Sequence, residues 1–218
     1  MHDDAPTRPL DFTRADEAEM RRRADALLDE ARRRRTVRHF SAEPIPLDVV
    51  RRCVEIAAQA PSGAHKQPWT FALVTDPTLK ARIRADAEKE ESAFYGGRAP
   101  QQWLDDLRPF ATTADKPFLE EAPALLIVFA QIRGPQDEKH YYVRESVGIA
   151  SGMLLAALHH CGFATLTHTP SPMGFLERLL GRPAHERAFL LVPVGYPAAD
   201  CRVPDLHRKP LAEVLVEY

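Results

Sequence analysis

Apolar residues follow two different periods along this chain, and the switches between them outline its elements. Residues 47–60, LDVVRRCVEIAAQA, put Val50, Cys53, Val54, Ala57 and Ala58 on one stripe, which predicts an amphipathic helix. WTFALVT at 69–75 is short and rich in β-formers, and predicts a strand. Asp76 and Pro77 then supply an N-cap and a first-turn proline, and the helix they open is stopped by Gly96, Gly97 and Pro100. PALLIVFAQI at 123–132 is apolar without a break, the pattern of a strand covered on both faces. HYYVRESVGIASGMLLAALHHCG at 140–162 predicts a long helix with small residues at its middle (Gly148, Ala150, Ser151, Gly152) and a stop at Gly162. FATLTH reads as a short strand, FLERLLG as a short helix, and AFLLVPVGYP as another buried strand. The tail PLAEVLVEY alternates weakly and predicts one more pairing strand. Residues 15–33 read as a charge-dense helix, and 98–118 as irregular. With no internal repeat, this mixture predicts an α+β domain: a sheet core with helices packed on it.

Composition narrows the picture mainly by exclusion. A chain of 218 residues supports one good-sized core, and a formal charge of −2 gives no global attraction to nucleic acid. No apolar run approaches the roughly 20 residues that span a bilayer, and the acidic, polar start resembles neither a signal peptide nor an anchor. The expectation is a cytoplasmic protein that binds neither membrane nor nucleic acid. Cys53, Cys161 and Cys201 are odd in number, far apart in sequence and without a C-x-x-C pair, which argues against a disulfide framework and a zinc site. Glycine-rich dinucleotide, P-loop, nucleophile-elbow and H-E-x-x-H motifs are all missing. His159 and His160 are adjacent, so they cannot share a helix face as metal ligands, and a helix end suits them.

The charge that remains to be explained is RRRRTVRHF, Arg32 to Phe40. Arg21, Arg22 and Arg23, further back, read as a solvated helix face with ion pairs. A nucleic-acid face would need aromatic stacking residues among the arginines, and there are none. Arg35 and Arg38 differ, because they flank Thr36 and Val37 where the helix ends. Two guanidinium forks at a bend suit phosphate, whose oxygens accept their planar donors two at a time. APSGAHKQPWTF adds Ser62 and Gly63, a hydroxyl and a backbone that a ring can approach closely. THTP (167–170) ends a strand with two hydroxyls and an imidazole, and PDLHRKP adds Arg208. Taken singly, each also reads as turn chemistry.

Together these segments carry a resemblance. RRTVRHF, APSGAHKQPWTF and GRPAHE…VPVGYP…VPDLHRKPL, with AEKEESAFY, HYY, GMLLAALHHCG and THTP, resemble the nitroreductase-type flavoproteins and, within them, the iodotyrosine deiodinase branch. The likeness runs from about residue 30 to the end. It implies a nitroreductase-like fold, a mixed central sheet flanked by helices in an intertwined homodimer, with flavin mononucleotide (FMN) bound at the subunit interface. Arg34, Arg35, Thr36 and Arg38 would hold the phosphate and ribityl chain, with Arg208 closing the clamp. Pro61, Ser62 and Gly63 would line the ring, and Thr167, His168 and Thr169 would sit at its N5 edge. The Thr169 hydroxyl would favour electron transfer in single steps. The backbone N–H of Ala64 would meet the phenolate of a halotyrosine, and Glu91, Tyr95 and Lys116 its zwitterion. The chain departs from the branch in Thr36, where serine is usual, in His168 between the two threonines, and in having no membrane anchor.

The resemblance also divides the chain into a polar N-terminal extension, 1–30, and an FMN domain, 31–218. Within the domain, residues about 88–118 would form a mobile lid whose charged trio is mutually unsatisfied until substrate arrives. The implied activity is reductive dehalogenation of 3-iodo- and 3,5-diiodotyrosine, with bromo- and chlorotyrosine also admitted. Electrons would come from an external donor, NAD(P)H through a reductase or ferredoxin. The alternatives are a general NAD(P)H-dependent nitroreductase or quinone reductase on the same scaffold, and a non-enzymatic flavin store or basic binding module.

Overall fold

The unbroken apolar run becomes the strand with the most complete burial in the computed structural model, which describes residues 6–218 as two units divided in sequence after Arg34. In the first unit, α1 (Glu17–Arg33) starts at Asp16, whose side chain accepts from the Glu19 amide at 2.9 Å. Arg21 pairs with Glu17, Arg22 and Arg23 with Glu19, and Arg32 with Asp29. These arginines are therefore the solvated helix charges that their spacing predicts, and exposed pairs of this kind contribute at most about 1 kcal/mol each.

The second unit holds α2 (Leu47–Ala57), β1 (Trp69–Val74), α3 (Pro77–Ala93), α4 (Gln101–Leu107), α5 (Phe118–Glu121), β2 (Ala124–Gln131), α6 (Val143–His160), β3 (Ala164–Thr165), α7 (Gly174–Leu179), β4 (Glu186–Gly195) and α8 (Leu211–Val214). The sheet runs β1-β2-β4-β3, and every pair of these strands is antiparallel. The mixed character that the resemblance implies enters through one parallel bridge, Thr36 to Thr165. On β2, alternate side chains enter two cores. Ala124, Leu126, Val128 and Ala130 pack with residues of α2 and α6, while Leu125, Ile127 and Phe129 pack with residues of α3, α5 and α7. Both faces of the strand are covered, which is why its sequence shows no alternation.

Local signals place several boundaries as expected. The Asp76 side chain caps α3 by accepting from the Leu79 amide at 2.7 Å, with Pro77 in the first turn. The chain leaves that helix through a π turn, Phe94–Arg98, in which Gly97 has φ 133. Two expectations are corrected. Residues 98–118 are not irregular throughout, since α4 forms within them. The tail forms α8, not a strand, because Leu211 and Val214 fall at helical spacing after Pro210 and no strand pairs with it. Cys53 and Cys161, far apart in sequence, are brought together where α2 packs on α6, with sulfurs 3.7 Å apart and unbonded. Burial pushes the Cys53 thiol up to about 12, so it stays protonated. Among the described residues, no helix is long and apolar enough to cross a membrane.

Candidate functional site

A cavity of about 310 Å3 lies between the end of α3, the turn that follows it, α4, and the extended segment Leu166–Thr169. That size suits a small molecule. Its lining brings together Glu91, Tyr95, Lys116, Arg38, Thr167, His168 and Thr169, residues from four separate parts of the chain.

Glu91 and Tyr95 share a face because they are one turn apart. Lys116 approaches them from the segment before α5, where its amide donates to Glu88 Oε1 at 2.8 Å. Arg84 fixes that approach by holding Glu88 and Asp115, each at 2.7 Å, and Glu120 at 3.2 Å. The Lys116 ammonium lies 3.1 Å from Glu91 Oε2 and 5.5 Å from the centre of the Tyr95 ring, and donates to the Thr113 carbonyl. The Tyr95 hydroxyl is 2.7 Å from the Thr112 hydroxyl. The expectation of a mutually unsatisfied trio is therefore corrected. The Lys116 and Glu91 side chains are only 5% and 13% exposed, and charges that secluded must neutralise one another when no ligand does so.

His168 follows the alternation of an extended segment. Its backbone exchanges both hydrogen bonds with Leu191, at 2.9 and 3.0 Å, and its ring is buried while Thr167 and Thr169 are exposed. The imidazole therefore turns away from the two hydroxyls it was grouped with. It packs edge-on against Phe118 at 5.4 Å and faces Glu91. Burial, then the charges of Lys116 and Arg38, push its pKa down to about 3, so the ring is neutral.

The arginine segment runs extended beside β3. Thr36 bridges Thr165, and the Val37 amide donates to the Thr165 carbonyl at 3.0 Å. That pairing buries Val37 and leaves Arg35, Thr36 and Arg38 partly exposed. Among the described residues, no carboxylate pairs with Arg35 or Arg38. Burial draws the Arg38 guanidinium below the ordinary arginine range, as expected of a cation short of an anion, and the Phe110 ring lies 5.7 Å from it. Arg35 donates to the Pro204 carbonyl, which brings the segment carrying the exposed Arg208 alongside. Two partly exposed guanidiniums without carboxylate partners, Arg38 lining the cavity with the hydroxyls of Thr167 and Thr169, fit the phosphate and ring edge of FMN. Arg34 ends the first unit, in extended conformation.

Pro61, Ser62, Gly63 and Ala64 stand apart, because the cavity lining includes none of them. Their loop is tightly specified. Ala64, His65 and Gln67 have φ of 50, 54 and 47, a left-handed conformation uncommon outside glycine. The Ser62 hydroxyl accepts from the Gln67 amide at 2.9 Å, and the Gly63 amide donates to the Ser146 hydroxyl at 3.3 Å. A Cβ on Gly63 would lie 2.7 Å from the Tyr141 carbonyl oxygen, so only glycine fits. Backbone held this way by side chains is the kind of strain that functional loops carry.

The sequence reading missed the far wall of the cavity. Arg98 donates to Glu90 Oε2 at 2.8 Å and to the Ser171 carbonyl at 2.6 Å, tying the π turn to the segment after Thr169. Phe94 meets Trp103 edge-on at 5.1 Å. The adjacent glycines, Gly96 and Gly97, were the signal available, since they mark a turn that some side chain must brace.

Comparison with known proteins gives these features a setting. The profile of the nitroreductase family matches residues 31–196. An iodotyrosine deiodinase of Haliscomenobacter hydrossis is 58% identical over 189 residues, covering 85% of this chain and 85% of that protein. The human iodotyrosine deiodinase 1 is 42% identical, covering 95% of this chain and 74% of that protein. A crystal structure of oxidised iodotyrosine deiodinase bound to FMN and 3-iodo-L-tyrosine superposes with a TM-score of 0.76 at 37% identity, covering 88% of this chain and 98% of that one. With a cavity that joins the charged end of α3 to a threonine-edged strand end, and relatives this similar across most of its length, the chain belongs to the nitroreductase family, in its iodotyrosine deiodinase branch.

Proposed function

We propose that the protein is an FMN-dependent reductive dehalogenase of halotyrosines. The observation that carries this reading is the single cavity in which Glu91, Tyr95 and Lys116 face Thr167 and Thr169. A free amino acid presents one charge of each sign on one carbon, and Glu91 and Lys116 are a complementary pair held 3.1 Å apart. The substrate would part them, its ammonium taking Glu91 and its carboxylate Lys116, while Tyr95 adds a hydrogen bond. A general nitroreductase needs only an open apolar cleft, and such a pair would have no purpose there.

Arg35, Thr36 and Arg38, with Arg34 and Arg208, would hold the FMN phosphate and ribityl chain; Ser62, Gly63 and Pro61 would lie along the ring. Thr169 and Thr167 would present their hydroxyls to the ring edge, with the backbone of His168 between them. FMN, when bound and reduced, supplies two electrons in single steps. The overall change is balanced as 3-iodotyrosine plus two electrons and one proton giving tyrosine and iodide, the proton ending on the ring carbon that loses iodine. Smaller halogens fit the same cavity, so bromo- and chlorotyrosine fall within the proposal. Ala64, which the left-handed loop presents outward, would donate its N–H to the phenolate oxygen and favour the ionised ring. Closure of the segment 88–118 over the substrate would expel water and strengthen each of these contacts.

Because the Pro61–Ala64 loop lies outside the cavity that Glu91, Tyr95, Lys116, Thr167 and Thr169 line, we assign it to the site of a second copy of the chain. The homodimer would then carry two FMN sites at its interface. α6 supports this by exposing Gly148, Ile149 and Gly152 along one face. Electrons would arrive from an external donor, NAD(P)H through a reductase or ferredoxin. Unbonded Cys53 and Cys161 suit a reducing, cytoplasmic setting.

The test is anaerobic mixing of the dithionite-reduced holoenzyme with 3-iodo-, 3-bromo- and 3-chlorotyrosine, following flavin reoxidation and free halide. Stoichiometric halide supports the reading. Reoxidation by nitroaromatics or quinones with no halide from any halotyrosine overturns it.

A further inference from the structure

The Glu91 carboxylate has two oxygens, and only one of them meets the Lys116 ammonium. Its Oε2 meets the Lys116 ammonium at 3.1 Å, while its Oε1 faces His168 Nε2 across 4.0 Å, too far for a hydrogen bond. Among the described residues, His168 Nε2 is the one fully buried side-chain nitrogen or oxygen, outside the exposed residues, that has no partner. It belongs to a neutral ring that the cavity wall secludes from water. A buried polar atom without a partner is costly, and such an atom in a site points to a contact made in another state.

We infer that His168 is a positioning residue for recognition of the substrate zwitterion, donating from Nε2–H to Glu91 once the substrate has drawn Lys116 away. The inference rests on the proposed function above and adds a residue to it. With Lys116 in place, the carboxylate is pulled toward the ammonium. When the ammonium moves onto a substrate carboxylate, Glu91 exchanges one cation for another, the substrate's own, and is free to close the gap of about 1 Å onto the imidazole. The carboxylate selects the tautomer, because a lone pair at Nε2 would repel Oε1 whereas an N–H is attracted to it. The ring cannot swing aside, since Phe118 packs perpendicular to it at 5.4 Å and its backbone exchanges both hydrogen bonds with Leu191. His168 thus leaves the free protein with an unmade hydrogen bond that a halotyrosine supplies, and a ligand lacking the two charges does not. The preference for a free amino acid is built into the lid's floor as well as into the lid.

The test uses the oxidised holoenzyme and calorimetric titration with 3-iodotyrosine and with 2-iodophenol, which keeps the reacting ring and lacks both charges. In His168→Leu, the 3-iodotyrosine Kd should rise by about tenfold, the size of one charge-assisted hydrogen bond, while the 2-iodophenol Kd moves by less than about twofold. His168→Gln, which restores a donor at similar reach, should recover most of the loss. In the parent, 15N-edited spectra should show an imidazole N–H, absent from His168→Gln, that moves downfield with 3-iodotyrosine and not with 2-iodophenol. Unchanged 3-iodotyrosine affinity in His168→Leu, or an equal loss for both ligands, overturns the inference while leaving the proposed function standing. If His168→Leu does not fold, an imidazole N–H that ignores 3-iodotyrosine in the parent overturns it alone. A parent that does not bind 3-iodotyrosine at all overturns both.

Discussion

Lys116→Met separates what the Lys116–Glu91 ion pair does for the fold from what it does for the proposed substrate. In the free protein the Lys116 and Glu91 side chains are 5% and 13% exposed and 3.1 Å apart. Removing the ammonium leaves the Glu91 carboxylate secluded without its ion-pair partner and facing the neutral His168, and a broken buried pair of this kind costs about 3–5 kcal/mol. Some water reaches Glu91, so the lower end, about 3 kcal/mol, is expected in urea unfolding. The double variant Glu91→Gln with Lys116→Met removes both charges and should return to within about 1 kcal/mol of the parent, since replacing a whole pair is often nearly neutral. The difference of about 2 kcal/mol between Lys116→Met and the double variant is the lower bound of the coupling, and the cost of Glu91→Gln alone adds to it in the double-mutant cycle. Substrate must break this pair before using its members, so the affinity loss is only the net of two contacts. Lys116→Met should raise the 3-iodotyrosine Kd by about tenfold to a hundredfold, corresponding to about 1.5–3 kcal/mol, and leave 2-iodophenol nearly unmoved. A single-variant cost below about 1 kcal/mol, or equal weakening of both ligands, would show that Lys116 neither neutralises Glu91 nor reads the zwitterion.

Other outcomes follow from the same geometry. Arg35→Ala and Arg38→Ala should each lower FMN affinity by about tenfold or more without unfolding the core, because each removes a charge-assisted phosphate contact. Full flavin absorbance after exhaustive dialysis of both variants would show the phosphate lies elsewhere. His168, held at about 3 instead of 6.5, stays neutral in the folded chain while the unfolded chain takes up a proton. Its contribution to stability is complete above pH 6.5 and is lost toward pH 3, with a slope of at most about 1.4 kcal/mol per pH unit. His168→Gln should therefore flatten acid unfolding between those limits, and parallel curves for variant and parent would refute the burial that depresses it. Thr169→Ala should lower the fraction of flavin held singly reduced during stepwise reduction with halotyrosine bound. Equal fractions in parent and variant would remove that hydroxyl from the proposed role.

The candidate site was legible as parts before it was legible as a place. Residue type and spacing suffice to put Arg35 and Arg38 about a threonine at a helix end, Glu91 and Tyr95 on one helical face, and Thr167 and Thr169 at a strand end, because those relations are local. Resemblance to a flavoprotein family supplied their joint meaning. No local rule brings Lys116 to Glu91, or Thr112 to Tyr95, since the chain between them folds back through a π turn and α4.

By itself the sequence determined the elements whose signals are short in range: the capped start of α3, the glycine exit from it, the doubly covered β2, and the charged, solvated α1. Each depends on backbone preference or on the period of burial within a few residues. Tertiary structure alone determined which charges are neutralised and which polar atoms go unpaired. Packing α3, α5 and the Leu166–Thr169 segment around one cavity joins Lys116 to Glu91 and strands His168 Nε2 facing the same carboxylate. It likewise set Cys53 beside Cys161. The physical reason is the same throughout. Hydrogen bonds and ion pairs act over a few ångströms, and only the folded chain determines which distant residues come within that range.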